Sequence, residues 1–403
     1  MAQAAEALPR SRWGLAGSLA PAAAGIFVFG LGQELWSRYL PEYLRTLGAS
    51  ALAVGAFGTL EDLLDAAYAY PGGFLSDRLG SRRALFLFGV VTTLGFAVYL
   101  AFRSIAAVFL GLLLVSAWKS LGLPATFSLV AEELPGSSRI VGFTVQSILR
   151  RLPIVLAPPL GGLLIERLGM AGGMRAGFAT SIVLGAAMLA GLRISFSRRG
   201  ARPLEPSTAP PAERTRVPLH PTLKRLLAAD VLIRLCEGLP DVFLVIWALE
   251  TLHLSPSQFG LATAVLMGTA ILSYFPAAAL AGRMEKKPFV LATFVFFTLF
   301  PVAVVASHSF AQLLAAYAIG GLREIGEPAR KALIVDLAGP AARGKAVGLY
   351  YAIRGFAVAG AAAIGGALWT IRPGLTFWTA AALGAAGTLW AAVTLPSRPA
   401  EAG

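Results

Sequence analysis

The chain has 403 residues, of which 57% are hydrophobic and only 14% are charged. A soluble domain usually carries about 25% charged residues, so the composition excludes an ordinary soluble enzyme. The net charge of +13 raises the question of nucleic acid. Because the basic residues are spread over separate connections between apolar segments, the pattern argues against a nucleic-acid partner.

Apolar segments recur with short breaks along the whole chain. A membrane-spanning helix needs about 20 apolar residues, and hydropathy by that measure predicts about twelve spans. They are 14–42, 50–76, 83–103, 105–133, 139–166, 171–195, 222–250, 256–282, 287–307, 309–337, 343–370 and 373–395. The lipid bilayer is therefore a predicted partner of the whole chain.

Lys and Arg are distributed unevenly over the connections between these segments. Alternate connections, counted from the N-terminus, hold most of them, whereas the others hold only Arg45, Arg103, Arg167, Arg175 and Arg372. Cytoplasmic loops of membrane proteins carry the excess of Lys and Arg. The sequence therefore predicts a multi-pass protein of the inner (plasma) membrane with both termini in the cytoplasm.

A polar stretch divides the chain into two parts. Residues 196–221 combine several arginines with six prolines, which is typical of an extended linker. We predict an N-terminal six-helix bundle (1–195), a cytoplasmic linker (196–221) and a C-terminal six-helix bundle (222–403), here called the N-terminal and C-terminal halves.

The two halves resemble each other at a nearly constant offset. Residues 122–125 and 326–329 both have the pattern Gly-x-Pro-Ala. The offset between these two runs also pairs Lys119 with Arg323 and Arg150 with Arg354. Such an offset predicts an internal duplication, which in transporters places the substrate site between the repeats near the bilayer midplane.

One short charged hairpin is specific enough to indicate a family. Residues 73–83 read G-x-L-x-D-R-x-G-x-R-R and resemble the signature between the second and third helices of the major facilitator superfamily. The resemblance implies an all-α polytopic membrane protein with the major facilitator fold and about 12 transmembrane helices in two pseudo-symmetric halves. It also implies a gate in which Asp77 faces the region of Arg343, with these members: Gly73, Asp77, Arg78, Gly80, Arg82, Arg83 and Arg343.

A second motif lies in segment 139–166. Residues 157–162, Ala-Pro-Pro-Leu-Gly-Gly, resemble the G-P-x-x-G-G motif of the proton-coupled exporters of that family, with Ala157 in place of the first glycine. Pro158, Gly161 and Gly162 are expected to kink this helix. The run Lys119-Ser120-Leu121-Gly122 is similar to a fourth-helix motif of the same exporters.

Acidic residues inside the apolar segments are candidates for proton coupling. Charged groups at the bilayer centre are costly and usually mark a substrate or ion path. Glu61, Asp62 and Asp65 share one helical face by their spacing, and crowded carboxylates away from water favour holding a proton at one of them. Glu34 completes the predicted proton-coupling set, and ion pairs that only hold helices together are the alternative reading.

Basic and aromatic residues inside the segments suggest a substrate cavity. Lys119, Arg150, Arg323 and Arg354 form a pseudo-symmetric quartet, two in each half, that would bind an anion or pair with the acids. Glu237, Asp241 and Trp36 are further predicted cavity residues. The sequence shows no phosphate-binding glycine loop, no Cys/His metal cluster and no Ser-His-Asp set, so we expect neither an enzyme nor a cofactor.

These patterns predict a secondary active transporter that works by alternating access. Proton-coupled export of a small organic solute or drug is the favoured interpretation, and we expect a monomer. Two alternatives stay open: an organic or phosphorylated anion held by the central Lys and Arg residues, or a divalent metal cation held by Glu61, Asp62 and Asp65 through oxygen ligands.

Overall fold

The protein is an array of α-helices. The computed structural model describes residues 19–121, 139–197, 219–281, 285–337 and 343–396, and no strand occurs within those ranges. The helices of the first part are α1 (Leu19–Glu34), α2 (Leu40–Thr46), α3 (Ala51–Leu79), α4 (Ser81–Ala101), α5 (Ile105–Ser116) and α6 (Arg139–Ser197). Those of the second part are α7 (Pro221–Gly238), α8 (Pro256–Ala281), α9 (Lys286–Val305), α10 (Phe310–Leu322), α11 (Glu327–Leu337), α12 (Arg343–Val358), α13 (Ala361–Ile371) and α14 (Pro373–Thr394).

Six stretches of the described helices are long and apolar enough to cross a bilayer. One of them, Arg151–Ile194, has 44 residues, which at 1.5 Å per residue is about 66 Å and twice the hydrocarbon thickness. It turns back at Gly169, whose φ of 71° lies in the left-handed region that glycine tolerates. The two predicted spans 139–166 and 171–195 therefore correspond to the two arms of α6.

Several predicted single spans are interrupted helices. Segment 222–250 contains α7 and then an irregular helical run from Asp241 to Thr251, because Pro240 has no N–H to continue the ladder. Segment 309–337 contains α10 and α11, and segment 343–370 contains α12 and α13. Inside a membrane such breaks occur only where protein or a water-filled cavity satisfies the freed backbone groups.

The break between α10 and α11 shows how those groups are satisfied. The Gly326 amide donates to the Thr293 hydroxyl on α9 at 2.7 Å. A Cβ on Gly326 would lie 2.0 Å from the Phe289 carbonyl oxygen, so only glycine permits this approach. The link between the two helices is thus fixed against α9 rather than loose.

The bounds of the helices repeat between the halves. Helix α3 starts at Ala51 and α8 at Pro256, and the starts of α4 and α9 are separated by the same interval. Helices α6 and α12 start at Arg139 and Arg343. The interval between these two starts is one residue shorter than that between α3 and α8, and it equals the interval between the two Gly-x-Pro-Ala runs. These intervals agree with the duplication that the sequence predicts.

The chain forms two compact units. The first comprises residues 1–36, 67–157 and 175–209, and the second comprises 37–66, 158–174 and 210–403. In the first unit Trp36 packs edge-on against Phe96, Tyr99 and Phe178. Its indole N–H donates to the Ser181 hydroxyl at 2.8 Å, so this aromatic cluster joins the end of α1 to the second arm of α6.

In the second unit, α7 packs against α9, α12 and α14, and α10 packs against α8 and α9. An apolar core fills the space between α7, α9 and α12, with Leu226, Phe294, Phe297 and Tyr350 among its buried members. Ile334 of α11 belongs to the same core. Apolar side chains of α7, α9, α11 and α12 thus form one core in this unit.

The second unit also contains a contact region between segments of the two halves, here called the distal seam because it lies at the end of α3 away from the 73–83 hairpin. The Tyr39 hydroxyl contacts two carbonyl oxygens, that of Pro158 at 2.7 Å and that of Pro256 at 2.9 Å. The Thr59 hydroxyl accepts from the Ala363 amide at 3.0 Å. The distal seam therefore joins residues 37–59 and the first arm of α6 to α8 and α13.

Glycines make the distal seam close. A Cβ on Gly260 would lie 2.4 Å from the Pro158 carbonyl oxygen, and a Cβ on Gly162 would lie 2.4 Å from that of Pro256. Since the obstructing atoms are backbone, neither contact is relieved by a side-chain rotation. The seam is a backbone-to-backbone contact of the kind that small residues allow between membrane helices.

Gly260→Ala should therefore destabilise the protein by about 1–3 kcal/mol, the usual cost of overpacking, and lower the thermal unfolding midpoint in detergent. The matched control is Gly268→Ala on the same helix, where nothing lies within 4 Å of the added methyl. That change should be neutral or stabilising by up to about 1 kcal/mol. Equal midpoints for the two variants would contradict the close packing of the seam.

Candidate functional site

A buried carboxylate on α7 is the centre of an ion-pair network. The Asp230 side chain is 1% exposed. Both of its oxygens accept from Arg330 Nη1 at 2.5 Å. One oxygen also accepts from the Tyr350 hydroxyl at 2.9 Å and from Arg354 Nη1 at 3.2 Å. Asp230 thus links α7 to α11 and α12.

Arg330 carries the network along α11. Its side chain is 2% exposed, and it forms a fork with Glu327, with Nη2–O distances of 2.6 and 2.8 Å and an Nε–O distance of 3.0 Å. Lys331 Nζ lies 3.4 Å from the same glutamate and is largely exposed. Arg330 therefore has a carboxylate on each side, which is the arrangement that a buried guanidinium requires.

The network continues toward the break after α7. Arg234 Nη1 donates to Glu237 at 2.6 Å, and its Nη2 lies 3.6 Å from Glu327. Arg323, at the C-terminal end of α10, lies 3.4 Å from the other Glu237 oxygen. Glu237, Arg234 and Arg323 are 16–25% exposed, so this end of the network has contact with solvent that Asp230 lacks.

Aromatic rings contact three arginines of the network. The guanidinium groups of Arg234 and Arg323 lie over the Phe297 ring at 5.3 and 5.2 Å, and Arg354 lies over Tyr351 at 4.6 Å. Such cation–π contacts stabilise a charge by about 0.5–2 kcal/mol, more when water is excluded. The rings thus restrain the guanidinium groups without neutralising them.

Asp241, at the break after α7, is exposed and is a point where charges of both halves meet. Its electrostatic neighbours are Arg38, Glu237, Arg323 and Glu61. Arg38 and Glu61 belong to the N-terminal half, and the other two belong to the network. Carboxylates and guanidinium groups of both halves therefore act on one solvent-accessible position within the second unit.

The predicted proton-coupling residues have different degrees of exposure. Asp62 on α3 is exposed, whereas Glu61 and Asp65 are half-buried, as is Glu34 at the C-terminal end of α1. Each of the four interacts with other groups. In the described part of the chain no three acidic, His or Cys side chains converge as a metal-binding group, so Glu61, Asp62 and Asp65 do not form such a group here.

The predicted basic quartet is divided between the two units. Arg323 and Arg354 lie in the network of the second unit, where each contacts a carboxylate. Lys119 belongs to the first unit and is exposed on the π-helical turn Ala117–Leu121. Arg150 lies on α6, and its side chain is outside the described part of the structure.

The predicted gate is described only in part. Gly80 separates α3 from α4 with φ of 81°, which allows the one-residue turn. The Arg78 guanidinium lies 4.3 Å above the Phe74 ring, and Arg83 is exposed. The surroundings of the other members lie outside the described part of the structure; these members are Gly73, Asp77, Arg82 and Arg343. The expected approach of Asp77 to Arg343 therefore lies outside it as well.

The motif at residues 157–162 and Trp36 occupy packed positions. The backbone stays helical through Pro158, Gly161 and Gly162, and the non-helical residue of α6 is Gly169. Pro158 and Gly162 supply backbone contacts of the distal seam. Trp36 is 2% exposed in the aromatic cluster of the first unit, which is a packing position.

Sequence reasoning misses Asp230, the centre of the network. At the interval that relates α3 to α8 and α4 to α9, its counterpart in the N-terminal half is Gly25, so comparison of the repeats gives no signal. The available signal is that Asp230 is an acid in an apolar segment, seven residues before Glu237. Two helical turns separate these residues, which places both on one face.

The family model of the Major Facilitator Superfamily matches residues 22–248 and 226–403. The chain belongs to the Major Facilitator Superfamily. It is a multi-pass membrane transporter rather than an enzyme, with an all-α fold. No curated protein matches it in sequence.

Solved structures of other transporters have the same fold. A variant of the peptide transporter POT has a TM-score of 0.72 at 18% identity, with 93% of each chain covered. A bacterial homologue of the human lysosomal transporter Spinster, inward-facing and occupied, has a TM-score of 0.71 at 14% identity, covering 95% of this chain and 98% of its own. A bacterial homologue of the iron transporter ferroportin, inward-facing, has a TM-score of 0.73 at 13% identity, covering 92% and 97%.

Asp230→Asn should destabilise the second unit by about 3–5 kcal/mol, because it leaves two cations, Arg330 and Arg354, around a buried neutral group and only Glu327 to balance Arg330. Thermal unfolding in detergent measures this. The control is Asp336→Asn, which removes a 47%-exposed partner of Lys286 and should cost less than about 1 kcal/mol. If the two variants unfold at the same temperature, Asp230 is not the structural centre of the network.

Proposed function

We propose that the protein is a proton-coupled secondary transporter that exports a small organic solute by alternating access between its two halves. The proposal names three things beyond membership of the family: the proton as coupling ion, an organic solute, and export. The plasma membrane with cytoplasmic termini is the proposed location, and it is supported by the distribution of Lys and Arg.

The observation that carries the proposal is the position of Asp241. It is exposed, and its electrostatic neighbours include carboxylates and arginines of both halves. A carboxylate that changes partners when the halves move also changes its proton affinity. Glu61 is one of those neighbours and shares a helical face with Asp65 on α3, so protonation in this region would be linked to movement of the halves.

The network around Asp230 supports coupling by carboxylates over recognition of an anion. Arg323 and Arg354, the described members of the predicted quartet in this unit, contact Glu237 and Asp230. Their charges are therefore already balanced by protein carboxylates in this structure. An anionic solute would have to displace those contacts, whereas a proton needs only an accessible carboxylate.

Asp62→Asn and Asp65→Asn are expected to abolish solute-driven proton movement while leaving the protein folded, because the amide cannot exchange a proton. The measurement is proton flux in proteoliposomes that contain a pH-sensitive dye, with Asp336→Asn as a control at an exposed carboxylate. Normal coupled flux in both α3 variants would overturn their assignment as coupling residues.

The substrate class is tested in the same vesicles by adding organic cations, organic anions and divalent metal ions in turn. We expect organic cations or neutral drugs to move protons and the other two classes to have no effect. Proton movement driven only by organic anions would instead assign the basic quartet to the solute. Uptake of a labelled solute without proton movement would show a uniporter and make the carboxylates structural.

A further inference from the structure

Glu42 on α2 is a buried carboxylate that the coupling set above does not include. Its side chain is 8% exposed, and its Oε2 atom is fully buried without a hydrogen-bond partner. Helix α2 follows the end of α1, and Glu42 is the last residue of the predicted span 14–42, at the boundary of that apolar segment. An ionised carboxylate with one oxygen buried and without a hydrogen bond is costly at such a position.

Glu42 is buried where the two halves are in contact. Helix α2 belongs to the N-terminal half and packs against Leu244–Ile246 of the C-terminal half, beside the distal seam. The charged groups that face Glu42 are Arg45 on its own helix and Glu250 on the run after Asp241. Arg45 is engaged elsewhere, because its Nε lies 3.3 Å from Glu250 and its Nη1 donates to the Ala49 carbonyl.

These surroundings favour the protonated form of Glu42. Burial, together with the nearby Glu250 carboxylate, raises the pKa of Glu42 to about 7, and Arg45 opposes this rise. A glutamate in water has an ordinary pKa of 4.5. If the seam opens and water reaches the side chain, the pKa must fall toward that ordinary value.

We propose that Glu42 is a proton-binding site that takes up a proton when the distal seam closes and releases it when the seam opens. This inference rests on the alternating access of the proposed function and assigns a proton site at the end of the transport path away from the 73–83 hairpin. With both termini in the cytoplasm, that end faces the outside, so the released proton enters the external medium.

The direction of the pH effect follows from linkage. Between about pH 4.5 and pH 7 the closed seam binds a proton that the open seam does not, so lowering the pH favours closure by up to about tenfold per unit. Below that range both states carry the proton, and above it neither does. A medium near pH 8 therefore removes this contribution to closure.

The test is an infrared titration of the whole protein in lipid vesicles, following the absorption of protonated carboxylic acids. The wild-type spectrum minus that of Glu42→Gln isolates the signal of Glu42, and the glutamine keeps the shape of the side chain. We expect this signal to disappear with a midpoint near pH 7. Glu250→Gln, at the neighbouring 37%-exposed carboxylate, should keep the signal and lower its midpoint only slightly.

Gly260→Leu tests the link to the seam, because a side chain there collides with the Pro158 backbone and forces the contact apart. In this background the Glu42 midpoint should fall by at least about one unit toward that of an exposed glutamate. The same substitution at Gly268, where space is open, should leave the midpoint unchanged.

Two results would overturn the inference: no Glu42 signal at pH 6, or a midpoint that Gly260→Leu leaves unchanged. Solute-driven proton flux in the same vesicles separates this outcome from failure of the proposed function. Flux with no Glu42 signal rejects the site alone. A Glu42 midpoint that follows the seam, with no flux for any solute, supports the site and rejects proton-coupled transport.

Discussion

The structure of the C-terminal half depends on one buried charge. Asp230 is 1% exposed and accepts from Arg330, Tyr350 and Arg354, and these three donors all come from other helices. Lipid provides no hydrophobic driving force between helices. Pairing of a carboxylate that cannot be left uncompensated therefore sets the positions of α7, α11 and α12 relative to one another.

The network also explains why interrupted helices persist in this half. Glu237 lies at the end of α7, Arg323 follows α10 and Glu327 begins α11. Each break exposes backbone groups that lipid cannot satisfy. Charged side chains at the breaks provide polar surroundings there, and the apolar core that contains Phe294 and Phe297 packs in the same unit.

The distal seam is held by a different kind of contact. Its close approaches are between backbone atoms at Gly162 and Gly260, and its hydrogen bonds come from neutral groups such as the Tyr39 hydroxyl. The ion pair beside it, Arg45 with Glu250, is about one-third exposed, where such pairs contribute little. Separating contacts of this kind leaves no charge buried without a partner. Separating Asp230 from its donors would leave such a charge. The seam is thus held by contacts of lower electrostatic cost to separate than those that hold the C-terminal half together.

Much of the architecture was predictable from the sequence. Apolar run lengths predicted the helices, the 73–83 hairpin indicated the superfamily, and the repeat offset agrees with the helix bounds. These features are local or periodic, so they can be recognised along the chain without knowledge of the fold. The reversal at Gly169 also fell between two predicted segments, because a short connection between apolar runs interrupts the hydropathy pattern.

Tertiary structure alone decided which charged residues meet. Asp230 and Asp241 are both acids in one predicted apolar segment, yet only the fold surrounds Asp230 with three donors and leaves Asp241 exposed. Glu42 lies at the end of a predicted span, and its helix packs against Leu244–Ile246 of the other half of the chain. Burial and pairing depend on contacts between distant segments. Composition and periodicity therefore identify the helices and the class of protein but not the partners of each charge.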